Sequence, residues 1–235
     1  MLDCGFALKE TERRLQRLEL DPASLSGILV THEHQDHVGG VFKLARRYGL
    51  PVWLSHGTWQ AVSAHAEGAD IRFCRDGVAF TVGELEITPY TVPHDAREPL
   101  QYVASDGDLR LGVLTDVGQL TAHLVAALGA CNALLLEFNH DRQMLADSAY
   151  PASLKYRIGG PYGHLSNEHA AEILAKVDRS RLNKVVGAHL SKQNNTPALV
   201  RSAIDAVVGA EVEVLIASQD TGLDWIFCAS DLCPD

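Results

Sequence analysis

Short apolar runs recur along the chain, separated by stretches with helical spacing. Ile28-Leu29-Val30, Pro51-Val52-Trp53-Leu54, Leu111-Gly112-Val113-Leu114, Ala133-Leu134-Leu135-Leu136 and Lys184-Val185-Val186-Gly187 read as strands buried on both faces. Helices are predicted from Val38 to Tyr48, closed by Gly49 and Pro51, and from Gln119 to Leu128, closed by Gly129. Another opens at Ser166, a good N-cap, and places Ala170, Ile173, Leu174 and Val177 on one apolar stripe. A further helix starts after Thr196-Pro197. Phe80 to Tyr90, Gln101 to Ala104 and Leu109 to Leu114 read as antiparallel strands, the last two joined around Asp106-Gly107. This mixture predicts an α/β fold with sheets packed together, helices outside and histidine-bearing segments just past strand ends.

Composition narrows the picture. The 235 residues are 46% hydrophobic and 21% charged, enough for one domain spanning residues 1–235. No uninterrupted apolar stretch reaches the roughly 18 residues that a membrane span requires. Met1-Leu2-Asp3-Cys4-Gly5 lacks the basic and apolar regions of a signal peptide, so a cytoplasmic location is expected. The five cysteines, Cys4, Cys74, Cys131, Cys228 and Cys233, are scattered and read as free, mostly structural thiols. A formal net charge of -10 counts against a generic nucleic-acid binder, although bound divalent cations reverse the sign locally.

The chemistry concentrates in Thr31-His32-Glu33-His34-Gln35-Asp36-His37-Val38-Gly39-Gly40. Four potential ligands fall directly after an apolar strand, in an imidazole and carboxylate mixture suited to zinc, manganese or iron. Side chains two apart on a strand end share a face, so His32 and His34 point together. The turn that follows presents Asp36 and His37.

This segment resembles the signature of the metallo-β-lactamase superfamily, which implies a four-layer αβ/βα sandwich with metals at one edge of the paired sheets. The resemblance continues through Asp3, similar to an early aspartate that braces the metal loop, and through His94, Asp116 and His189, which look like later ligands. It implies two divalent ions, one on His32, His34 and His94 and the other on Asp36, His37 and His189, with Asp116 bridging. Relatives usually carry further strands ahead of Leu2-Asp3-Cys4-Gly5. Either the start is truncated or the first sheet lacks its first N-terminal strands, and Asp3 and Cys4 are then expected to be less well supported.

Leu136-Glu137-Phe138-Asn139-His140-Asp141, Tyr150 to Ile158, Gly163-His164-Leu165-Ser166-Asn167 and His189 to Asn195 resemble the YycJ/WalJ-type subgroup, associated with metal-dependent 5′-to-3′ exonuclease action on double-stranded DNA. That likeness implies a phosphodiesterase acting on DNA or another phosphodiester. Asp36 and the ligands would position the attacking water, and His164, able to titrate near neutral pH, would act as general acid. His140 is assigned to substrate contact, with a supplementary ligand or structural support as alternatives. Lys192, Asn194 and Asn195 are further substrate contacts, with capping of the next helix as the alternative for the two asparagines, and Arg142, Lys155 and Arg157 are candidate phosphate contacts. Glu137 either orients a ligand histidine or is a buried structural carboxylate. His56, His65, His123 and His169 read as surface or packing residues.

Two other functions fit the first motif: a small-molecule hydrolase for a thioester, lactone or cyclic phosphodiester, which the acidic charge favours, and a non-catalytic metal-binding regulator.

Overall fold

The computed structural model describes residues 1–228, which group into two compact units, Met1–Thr91 with Ala96–Tyr102, and Val92–Asp95 with the residues from Val103 on. Cys233 lies outside the described residues.

In the first unit, α1 (Leu8–Arg17), β1 (Ile28–Leu29), α2 (Gln35–Val38), α3 (Val41–Tyr48), β2 (Val52–Leu54), α4 (His56–Val62) and β3 (Ile71–Phe73) follow in order, then β4 (Phe80–Val82), β5 (Leu85–Thr91) and the start of β6 (Leu100–Ser105). β1, β2 and β3 are parallel neighbours in that order, with Leu29 level with Trp53 and Leu54 level with Phe73. Ile28, Val30, Val52 and Leu54 share one core cluster with Val41 and Leu44 of α3, all six fully buried, each contributing about 1.5 to 3 kcal/mol of apolar burial.

The predicted helix over 38–48 is in fact two, α2 and α3. Gly39 and Gly40 separate them because the backbone of residues 4–6 comes close. Gly40 N donates to Cys4 O at 2.7 Å, and a Cβ on Gly40 would meet Phe6 O at 2.0 Å. The predicted strand over 80–90 is likewise two, an antiparallel hairpin pairing Phe80 with Ile87 and Val82 with Leu85. The turn is made at Gly83, whose φ of 61° favours glycine.

Contrary to expectation, Asp3 and Cys4 are firmly held. Leu2 bridges Leu29 in parallel, Asp3 N donates to Leu29 O and Cys4 N to His37 O.

The second unit holds β7 (Arg110–Leu114), α5 (Ala122–Ala127), β8 (Ala133–Glu137), α6 (Arg142–Asp147), α7 (Ala152–Ile158), α8 (Asn167–Lys176), β9 (Lys184–Ala188), α9 (Pro197–Asp205) and β10 (Glu213–Ile216). β10, β9, β8 and β7 are adjacent and parallel, so Leu114, Leu136 and Gly187 lie level. Asp106 makes the expected turn before β7, its carboxylate accepting from the Asp108 and Leu109 amides. α5 is shorter than predicted because Thr121 caps it, accepting from Leu124 N at 3.2 Å. Ser166 caps α8 through His169 N as expected, and its buried stripe carries Ala170, Ile173 and Leu174.

Among the described residues no helix is long and apolar enough to cross a membrane. Cys4, Cys74 and Cys131 are free, buried thiols, and Cys228 is free and half-buried.

Candidate metal centre

In the first unit the donors come from one turn. The chain leaves β1 through Val30 and Thr31, both fully buried, and turns into α2 with His34 as its N-cap. The His32 ring stands 4.5 Å from that of His34 and 4.2 Å from that of His37, centroid to centroid. His32 and His34 bring ligand nitrogens within 4.8 Å of each other, as do His32 and His37, and Asp36 and His37 are equally close. Asp36 itself is exposed on the first turn of α2.

Asp3 organises this loop. Its carboxylate accepts from Thr31 N at 2.8 Å, from Thr31 Oγ1 at 2.7 Å and from His37 Nδ1 at 2.7 Å. Having given its proton to Asp3, Thr31 Oγ1 accepts from His32 Nδ1 at 3.0 Å. Both imidazoles thus spend Nδ1 on a protein acceptor and carry their lone pair on Nε2, the tautomer that a metal ligand needs.

The second unit gathers its donors from distant positions. Asp116 follows β7, Glu137 ends β8 and His189 follows β9, so three adjacent parallel strands deliver them to one edge. His94 and His164 join from loops. Asp116, Glu137, His164 and His189 each offer a ligand atom within 4.8 Å of the others. Asp116 is 2% exposed, with Oδ1 3.8 Å from His94 Nε2 and Oδ2 3.7 Å from His189 Nε2. Those distances are long for hydrogen bonds but close to the roughly 3.3 to 3.5 Å between two ligands of one tetrahedral zinc ion at about 2.0 to 2.1 Å.

Glu137, fully buried, does for this unit what Asp3 does for the other. Oε1 accepts from His189 Nδ1 at 2.7 Å and His164 Nδ1 at 2.9 Å, and Asp116 N donates to it at 3.3 Å; Oε2 accepts from the Leu165 and Val117 amides. Burial alone would raise its pKa, but the two imidazoles overcome that and hold its carboxyl at about 2. Burial depresses His164, yet Glu137 and Asp116 outweigh it and raise its pKa above the ordinary histidine value. Burial dominates at His94 and lowers its pKa. His94 Nδ1 donates to Gly163 O at 3.1 Å, again leaving Nε2 as the lone-pair nitrogen. Four imidazoles of one tautomer, together with carboxylates, fit a divalent transition-metal cation in both units.

Three of these residues, Asp3, Asp116 and His189, have left-handed backbone, with φ of 52°, 52° and 58°. Each bends the chain sharply beside a strand or bridge and swings its side chain inward.

The expected substrate contacts fare differently. His140 is 2% exposed, its amide and carbonyl tied to Leu165 and Asn167, and burial lowers its pKa to about 4. Its ring lies in the interior, beside Asn139 Oδ1 at 3.4 Å. Asn195 is committed to the fold, donating to Phe138 O and Asn167 Oδ1 and accepting from Asn167 Nδ2 and Thr196 N. Asn194 is also buried. Only Lys192 is exposed, ion-paired with Asp220. Of the candidate phosphate contacts, Arg142 bonds Ser166 and His169, Lys155 bonds Ala146 O, and Arg157 pairs with Asp95. Sequence reasoning gave no role to Asn139, which donates to His189 O at 3.2 Å and fixes that left-handed turn; only its place after Glu137 pointed to it.

The β-lactamase superfamily domain matches residues 1–186. The exodeoxyribonuclease YycJ of Bacillus anthracis is 37% identical over 212 residues, 88% of this chain and 80% of that protein. The exodeoxyribonuclease WalJ of Streptococcus pneumoniae is 32% identical over 233 residues, 94% and 87% of the two chains. Among solved structures, the metallo-β-lactamase fold protein YhfI of Bacillus subtilis superposes with a TM-score of 0.70 at 19% identity, covering 95% of this chain and 85% of its own. The sandwich expected from the sequence is thus the fold. With its histidine and carboxylate clusters built on that fold, the chain belongs to the metallo-β-lactamase superfamily of metal-dependent hydrolases.

Proposed function

We propose that the protein is a dinuclear phosphodiesterase that removes nucleotides from double-stranded DNA in the 5′-to-3′ direction. The donors assigned to the cations are His32, His34, Asp36 and His37 of the first unit and His94, Asp116 and His189 of the second, with zinc or manganese preferred over iron. When bound, such ions stabilise charge on a phosphoryl group and lower the pKa of water.

The observation that carries this reading is the shared carboxylate, Glu137, which binds Nδ1 of both His189 and His164. It leaves His189 Nε2 as the lone-pair nitrogen, as a ligand requires, and favours a proton on His164. Because Glu137 and Asp116 raise the His164 pKa, the imidazolium persists to higher pH than a free histidine and suits a general acid to the departing ribose oxygen. Asp36, exposed beside His37 with Oδ2 3.7 Å from Nε2, is placed to orient water. The likeness to proteins named exodeoxyribonuclease supplies the substrate.

End-labelled duplex DNA, a thioester and bis-p-nitrophenyl phosphate, each assayed with manganese, test the proposal. Release of labelled nucleotide from the 5′ end is expected. Brisk thioester turnover without DNA cleavage would overturn it in favour of a small-molecule hydrolase.

A further inference from the structure

The carboxyl ends of β1, β2 and β3 lie side by side in the first unit, and the metal loop leaves only the first of them. The other two carry an aromatic cluster that the reading above does not use. His56 stands two residues past Leu54, as His32 stands two residues past Val30. Phe73, level with Leu54, ends β3 and is 55% exposed. Its ring centroid lies 5.3 Å from that of His56 and 5.7 Å from that of Trp59, which it meets at 88°. His56 and Trp59 are themselves 5.7 Å apart. Three mutually packed rings with two members open to solvent form a patch, unlike the single exposed hydrophobes ordinary on a surface.

The same edge ties this cluster to the metal loop. Glu33 Oε1 accepts from Arg97 N at 2.9 Å. One residue on, Glu98 Oε2 accepts from Gly57 N at 2.6 Å and Glu98 O from Ser55 Oγ at 2.8 Å. Residues 97–98 are therefore pinned to the loop on one side and to the start of α4 on the other, and Arg97 is exposed between them.

We propose that His56, Trp59 and Phe73 form a platform on which one unpaired base of the DNA strand stacks, with Arg97 on the phosphate leading to it. The proposal rests on the nuclease reading and names how that site holds its substrate. Aromatic faces accept any base, so stacking lends affinity without a broad basic surface, which a chain of net charge -10 does not have to spare. Neighbouring strands lie about 4.8 Å apart, which puts Phe73 about 10 Å from the exit of β1. At 3.4 Å per stacked nucleotide that is about three nucleotides. A base inside a duplex has both faces covered, so the platform favours a frayed or single-stranded end.

The test compares wild type, Phe73→Ala and Phe73→Trp on DNA whose end is frayed by mismatches, with an abasic residue placed in turn at each of the first four positions. Phe73→Ala is expected to raise KM about tenfold, from the roughly 1 to 3 kcal/mol of one base-aromatic stack, and Phe73→Trp to restore it. One abasic position should raise KM of wild type by a similar factor and add nothing to Phe73→Ala. Should Phe73→Ala lose its fold by circular dichroism, His56→Ala, also at an exposed position, replaces it with the same expectations. If wild type degrades DNA but KM ignores both the variant and every abasic position, the platform is wrong and the nuclease reading stands. If wild type degrades no DNA, both fall together.

Discussion

The first unit draws its donors from six consecutive positions, 32 to 37, with one outside helper, Asp3. The second draws His94, Asp116, Glu137, His164 and His189 from across some hundred residues and depends on β7, β8 and β9 being parallel neighbours. Both solve the same problem, a carboxylate holding imidazole Nδ1, in opposite ways. Asp3 braces a turn that local spacing already shapes, whereas Glu137 sits at the centre of a network that exists only once the sheet has formed. A carboxylate of the first kind mainly tunes ligands. One of the second kind also holds the unit together.

The largest effect expected is on turnover. His164→Ala should lower kcat on DNA by about 100- to 10,000-fold while metal analysis still finds the wild-type content; loss of metal along with activity would make His164 a ligand and dissolve its separate role. Next comes stability. Glu137→Ala leaves two imidazole and three amide donors without their acceptor and should cost about 3 to 5 kcal/mol, read from urea unfolding of the metal-free protein. Asp3→Asn should weaken metal binding about 10- to 100-fold with a much smaller loss of stability. Equal stability losses in the two variants would erase the contrast between local and distributed construction.

The smallest effect concerns pH. Glu137 is held at about 2 against an ordinary value of 4.5. Its stabilising contribution is complete above about 4.5 and drains away as the pH falls towards 2. Melting temperatures of chelator-treated protein should fall across that interval, and more shallowly in Glu137→Gln.

The same contrast decides what a reader of the sequence can find. His32, His34, Asp36 and His37 are legible because a strand end and a turn are local structures, and the strands that deliver Asp116 and His189 announce themselves as apolar runs. The double duty of Glu137 is not legible, since nothing in Leu136-Glu137-Phe138 says that two histidines 27 and 52 residues onward share its oxygen. His140, Asn194 and Asn195 were drawn to the substrate by their polarity and their neighbours. The structure buries all three, and Asn195 has its side-chain hydrogen bonds met inside, as interior polar groups generally do. Phe73 and His56 were passed over for the converse reason: an exposed ring means little until a second and a third are found against it.

The left-handed turns at Asp3, Asp116 and His189 carry a consequence for how the protein handles its ions. Aspartate and histidine tolerate that conformation better than most side chains, and donors on Thr31 and Asn139, with the Glu137 carboxylate accepting from Asp116 N, keep the bends in place. A chain already curled into its gripping posture has little left to rearrange when a cation arrives or departs. Loading or stripping the ions should then leave the backbone almost where it was, which amide hydrogen exchange of the two forms would read.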